Sequence, residues 1–184
     1  YKHTHTLLHT SEPAHCRKVH VLKGENAKEP DVHICLDHVK RGSCHVFSFG
    51  INNNWLFDDF MIRQGCRVFS FDPSMTQKRH KRAPGHLFVP IGIGTKDGTW
   101  TGASTLNSQK TNYPLLTLET MMRTYNVSYV DVLRMDVESA EWDVLEQWLD
   151  RSWFQHLGQL LLEIHLWKRK DEARHTKILH AVPM

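Results

Sequence analysis

The sequence predicts an α/β domain built on a doubly wound, mainly parallel sheet. Three observations carry this. Short apolar runs rich in β-branched and aromatic residues alternate with amphipathic segments from residue 44 onward. The stretch "CHVFSFGINNNWLFDDFMIRQGCRVFSFDPS" (44–74) packs strand, turn, helix, turn and strand into one βαβ unit. A chain of 184 residues, 40% hydrophobic, has the size and composition for one domain with a proper core. Strands that alternate with helices at this pitch pair in parallel, with helices covering both faces of the sheet.

Each element follows in order. Residues 1–30 are polar and lack sustained periodicity, so they are expected to form a tail or loosely packed cap, with the domain proper spanning 31–184. "CHVFSFGI" (44–51) is the first strand, and "WLFDDFMIRQG" (55–65) is a helix with Leu56, Phe57, Phe60 and Met61 at helical spacing, closed by Gly65. "CRVFSFD" (66–72) is the second strand and "HLFVPIGIG" (86–94) the third, followed by a Gly- and Thr-rich loop, "GTKDGTWTGAS" (94–104). "PLLTLETMMRTYNV" (114–127) offers a helix with Thr117 and Thr120 as caps. "VDVLRMDV" (130–137) is strand four, "SAEWDVLEQWLDRSWF" (139–154) a helix, "LGQLLLEIHLW" (157–167) strand five, and "RKDEARHTKILHAV" (169–182) opens a last helix.

Lys and Arg exceed Asp and Glu by 23 − 20 = +3, too little to build a nucleic-acid field, and no nucleic-acid partner is expected. No apolar run approaches the ~18 residues of a transmembrane helix, and "YKHTHTLLHT" is no signal peptide. The chain opens on Tyr1, as expected of a piece of a longer protein. Cys16, Cys35, Cys44 and Cys66 form no CxxC pair, so a zinc ribbon gains no support; a Cys35–Cys44 disulfide is the pairing expected in an oxidising compartment. Loose His and Cys residues near the N-terminus (His3, His5, His9, Cys16, His20) match no metal spacing; Asp136, Glu138, Glu163 and His165 are a set that could ligate a divalent ion, carboxylates with one imidazole, but no metal is expected. "QKRHKR" (77–82) is a basic patch that suits phosphate or an acidic partner and that a solvated helix face explains at least as well, and Asn126-Val127-Ser128 is a glycosylation sequon.

Ligands of open α/β sheets sit beyond the carboxyl ends of the strands at the topological switch point, which puts Ser48, Phe49 and Gly50 at the site. Gly50 lets backbone approach a ligand, and Asn52, Asn53 and Asn54 tolerate unusual dihedrals and cap the helix that follows. Asp72 ends strand two, 22 residues after Gly50, where an acid accepts hydrogen bonds from ribose hydroxyls. "GINNNW" has only the first glycine of the dinucleotide fingerprint, which disfavours NAD; S-adenosylmethionine carries no phosphate and tolerates larger residues in the turn. Further along, Asp136 and Glu138 alternate onto one side of strand four, Glu141 enters the first turn of the next helix, and Glu163 and His165 share one side of strand five. Such groups are not placed on an apolar strand without partners, because an unpaired buried charge is costly. Four acids and one His at one end of a sheet predict a site.

The segments "CHVFSFGINNNWLFDDFM", "GCRVFSFDPSM", "PIGIGTKDG", "VDVLRMDVESAEWDVL" and "QLLLEIH" resemble the FkbM-type family of S-adenosylmethionine-dependent methyltransferases, most closely its animal methyltransferase-like protein 24 group. The resemblance spans 35–167. It implies a Rossmann-like class I methyltransferase fold, with Ser48, Phe49 and Gly50 at the cofactor's methionine end, Asp72 and Pro73 at its ribose, and Asp97 near the adenine. It also implies Asp136 at the cofactor's amino group or the reacting centre, and Glu138, Glu141, Glu163 and His165 around the acceptor, a hydroxyl of a small molecule or carbohydrate. His165 is the expected base for O-methyl transfer, being partly neutral at pH 7. Asn52 and Ser139 stand where relatives usually carry Gly, and Arg134 where Lys is common; a non-catalytic binding module on the same fold is the alternative. Relatives continue into a further strand pair, so a chain ending at "LHAVPM" is expected to lack the terminal strands and to self-associate through an exposed sheet edge. The animal relatives, the sequon and the cysteines point to the secretory pathway.

Overall fold

The computed structural model describes residues 16–24, 31–37, 39–103, 110–165 and 171–182. Six strands form the main sheet. In spatial order they are β11 (Leu157–Leu162), β10 (Val130–Met135), β3 (His45–Phe49), β4 (Arg67–Phe71), β6 (His86–Val89) and β5 (His80–Ala83). All neighbours are parallel except β5, which runs antiparallel to β6. The strand order reverses between β3 and β10, so the switch point lies where the sequence places it.

The motif VFSF occurs in both β3 and β4, and their register aligns Phe47 with Phe69 and Phe49 with Phe71. On one face these rings pack together, Phe49 on Phe71 at 4.9 Å, under α2 (Leu118–Thr124) and α3 (Glu141–Arg151). Val46 and Val68, one residue before each pair of rings, face the other way and meet α1 (Leu56–Arg63). Period-2 alternation thus supplies both faces of a sheet covered on each side. α4 (Glu172–Ala181) packs on α3, with His175 stacked on Trp142 at 3.8 Å.

The disulfides correct the sequence expectation. Cys16 bonds Cys35, and Cys44 bonds Cys66. Cys44 and Cys66 each immediately precede a strand, and the parallel register pairs His45 with Arg67, so their side chains start the two strands side by side. Cys35 closes β2 (Val32–Cys35), which pairs with β1 (Val19–Leu22). Part of the segment assigned to a polar tail is therefore a hairpin: Leu22 joins the α1-side core and His20 stacks on Phe60 at 4.2 Å. His3, His5 and His9 lie outside the described residues.

A second correction concerns 94–116. The expected loop is strand β8 (Gly98–Ala103), and the expected start of the helix at Pro114 belongs to β9 (Lys110–Leu116); with β7 (Gly92–Ile93) they make a three-stranded sheet in the order β7-β9-β8. Pro90 lies where the predicted third strand divides into β6 and β7. Helix α2 waits for Thr117, whose hydroxyl accepts from the Thr120 amide at 3.2 Å. The basic run 77–82 is no helix face: it leads into edge strand β5, and Arg82 pairs with Asp59 and lies over the Trp55 ring.

Candidate functional site

A cavity of about 530 Å³ opens beyond the carboxyl ends of β3, β4 and β10, within the range of small-molecule sites. Phe49, Gly50, Asn52, Phe71, Asp72 and Pro73 come from the first βαβ unit, and Asp136, Val137 and Glu138 from the end of β10. The loop 92–96 and hairpin β8–β9, with Trp100 and Tyr113 stacked at 5.7 Å, form a further wall, and Ala140, Asp143 and Val144 add to it from the start of α3.

Gly50 is required for a reason other than ligand approach. Its φ is +75°, and a Cβ built on it would lie 1.6 Å from the Asp136 carbonyl oxygen. The glycine lets the end of β3 pass against the end of β10, which is how the two halves of the site meet. Asn52 has φ 43° and Ser139 φ 83°. Both positions adopt the left-handed conformation that glycine takes without strain, so these polar residues meet a backbone demand a glycine would also meet.

Asp72 is 3% exposed and holds the turn in place. Its Oδ2 accepts from the Asn52 amide at 2.8 Å, and its Oδ1 accepts from the amide and hydroxyl of Ser74 at 2.8 and 2.6 Å. The carboxylate thus joins the turns after β3 and β4 at the cavity wall. Two residues assigned to the cofactor are placed elsewhere. Ser48 is still inside β3 on the α1 side, its hydroxyl donating to Asp58 at 3.4 Å. Asp97 accepts from the Thr117 amide and the Thr120 hydroxyl, both at 2.7 Å, which holds its carboxyl below the usual range. It ties the cavity loop to α2 and does not line the cavity.

The acids and His165 do converge. His165 Nε2 lies 3.7 Å from Asp136, 3.9 Å from Glu138 and 3.8 Å from Glu163. Its Nδ1 is 3.1 Å from Glu141 Oε1, which also accepts the His165 amide at 2.9 Å. Trp142 Nε1 donates to the His165 carbonyl at 3.0 Å. Adjacent residues at the start of α3 therefore hold the end of β11. Glu138 departs from the strand alternation expected of it, because β10 ends at Met135 and Glu138 takes φ 55°; the left-handed turn brings its carboxyl back to His165.

Electrostatics revise the roles. Burial pulls the His165 pKa down, but the Glu141 hydrogen bond and charge, followed by Glu138 and Asp136, outweigh it and push it up to about 9. The raised pKa favours the protonated imidazole, a form with no lone pair to accept a proton. Burial, then the charge of Asp136, raises Glu163 to about 7. Glu141 is fully buried behind His165 and positions it rather than facing the cavity. Arg134 stands 3.5 Å from Asp136.

Sequence reasoning missed Asp58, Trp100, Tyr113 and Asp143. Trp100 and Tyr113 were legible in the alternation of "GTWTGA" and "KTNYPLL"; Asp58 was legible only as an acid on the apolar face of α1.

The residues fit an adenosyl sulfonium ligand. The wall combines apolar Phe49, Phe71, Ile93 and Val144 with the acids Asp72, Asp136 and Glu138, which suit aromatic, hydroxyl and ammonium groups respectively.

A methyltransferase-domain family model matches residues 9–180. The chain is 30% identical over 142 residues to "Probable methyltransferase-like protein 24" of Homo sapiens, covering 72% of this chain and 37% of that protein. It is 28% identical over 141 residues to the Rattus norvegicus protein of the same description, covering 72% of this chain and 38% of the relative. The chain thus spans well under half the length of these curated relatives, and no solved structure matches it. The relatives bear out the resemblance carried by the motifs. With the match extending over nearly all of its residues and the fold to accompany it, the chain belongs to the methyltransferase-domain family.

Proposed function

We propose that this chain binds S-adenosylmethionine in the cavity at the β3–β10 switch point and directs its methyl group to a hydroxyl of a small molecule or carbohydrate. The carrying observation is the ring of Asp136, Glu138 and Glu163 about His165, of which Asp136 and Glu138 line the cavity. The cofactor supplies an electrophilic methyl on a sulfonium. Asp72 and Pro73 would hold the ribose side, Phe49 and Gly50 the methionine end, and Asp136 the ammonium group. His165, held protonated, would keep the three carboxylates together, and Glu163 is the acid best matched to accept a hydroxyl proton near neutral pH.

Two disulfides that use all four cysteines, with an exposed sequon at Asn126, support a secretory, glycosylated protein. Among the described residues no helix is long and apolar enough to cross a membrane.

The test is transfer of labelled methyl from S-adenosylmethionine to a panel of sugars and hydroxylated small molecules, followed by mild alkali. A base-stable label lost in Asp136→Asn supports ether formation. Label released as methanol points to a carboxyl acceptor, and cofactor binding without any transfer would return the chain to the role of a binding module.

A further inference from the structure

We infer that Asp136, Glu138 and His165 form a binding site for a divalent cation, of the Mn²⁺ type, at the wall of the cavity. One ligand atom from each lies within 4.8 Å of the others. His165 Nε2 is 3.7 Å from the Asp136 carboxylate and 3.9 Å from that of Glu138. A triangle of these dimensions has a common point roughly 2.2 to 2.5 Å from each corner, the length of metal–oxygen and metal–nitrogen bonds. The same separations exceed those of direct hydrogen bonds.

A second observation lies behind the imidazole. Glu141 is fully buried, with Oε1 at 3.1 Å from His165 Nδ1, while its Oε2 has no hydrogen-bond partner among the described residues. A carboxylate on the far nitrogen of a metal-binding His fixes the ring and raises its basicity; the ion would take the place of the proton on Nε2, releasing it to solvent, so that His165 is positively charged only while the site is empty. A buried, under-satisfied carboxylate is also costly unless positive charge stands near it. Glu163 sits 3.8 Å from Nε2, so four acids face one imidazole and one guanidinium, that of Arg134.

The ligand set is mostly carboxylate oxygen with one imidazole, which favours hard or borderline divalent ions over thiophilic ones. Asp136 and Glu138 also line the cavity, so the ion would keep coordination positions open toward a bound acceptor. There it would hold a hydroxyl oxygen and lower its pKa, with Glu163 beside it to receive the proton. That role rests on the methyl-transfer reading; the site itself does not.

The test uses Mn²⁺ with the whole chain and no nucleoside present. Loss of the free-ion electron paramagnetic resonance signal at one equivalent, with nitrogen modulation in the pulsed spectrum from one imidazole, is the expected result. His165→Ala should abolish the modulation, and Glu138→Gln, at a half-exposed side chain that leaves the core untouched, should weaken binding at least tenfold. Asp150→Asn, at an exposed site on α3, should change nothing. An unaltered free-ion signal at millimolar Mn²⁺ on a cooperatively melting chain overturns the inference, as does binding without nitrogen modulation or binding indifferent to Glu138→Gln. A parallel titration with S-adenosylhomocysteine separates the two readings: failure of Mn²⁺ alone removes the metal site, and failure of the nucleoside alone removes the methyl-transfer role.

Discussion

Gly50 and Asp72 shape the first half of the site through the backbone they hold in place. Gly50 exists because the Asp136 carbonyl occupies the place of its Cβ. Gly50→Ala should separate β3 from β10 at their ends and destabilise the fold by about 2 kcal/mol or more; a denaturant midpoint equal to wild type would refute this. Asp72→Ala leaves three donors of the Asn52 and Ser74 turns without an acceptor, so a loss of roughly 2–3 kcal/mol is expected in the same measurement. Asp136, Glu138, Glu163 and His165 were legible as polar residues at the ends of two apolar strands. Ser48 and Asp97 were misplaced because a one-residue difference in where a strand ends turns a side chain to the opposite face, and because a loop acid close to a helix start is drawn to the cap.

Between the sheet and α1 lies a buried polar group that the hydrophobic pattern hides. Asp58 accepts a short hydrogen bond from Ser70, whose hydroxyl is 2.7 Å from His86 Nε2, and all three are at most 1% exposed. Burial raises Asp58 to about 6, against the Ser70 hydrogen bond, and burial lowers His86 to about 4. The two act with opposite sign. Asp58, raised in the folded state, contributes stability below its unfolded pKa that is lost as pH rises through about 6. His86, depressed, contributes stability above its unfolded pKa that is lost as pH falls toward about 4. In wild type the slopes oppose each other between about pH 4 and 6. Asp58→Asn should leave only that of His86, so its melting temperature should fall more steeply than wild type on acidification from 6.5 to 4; parallel curves would contradict the assignment. The repeated VFSF strands made the sheet legible here, while hairpin β8–β9 was lost in a Gly- and Thr-rich sequence that resembles a loop. Its pairing emerges only once Thr101 and Asn112 are set opposite each other in a two-stranded ribbon, which also aligns Trp100 with Tyr113.

For the molecule as a whole, the parallel sheet follows from the alternation of elements, and its switch point brings the site together. The disulfides could not be read from spacing, because Cys44 and Cys66 become neighbours only when β3 and β4 pair. Replacing both with Ser releases a 22-residue loop and should lower stability by about 3 kcal/mol, visible as a drop of several degrees in the calorimetric melt. An unchanged melt would mean that the bond does not form. The central claim is that the cavity between β3 and β10 is a site for an adenosyl sulfonium. Calorimetric titration of S-adenosylhomocysteine into the folded chain, with NAD as control, tests it most directly. Saturable micromolar binding with NAD silent is the predicted result, and absence of heat from a chain that melts cooperatively would contradict it.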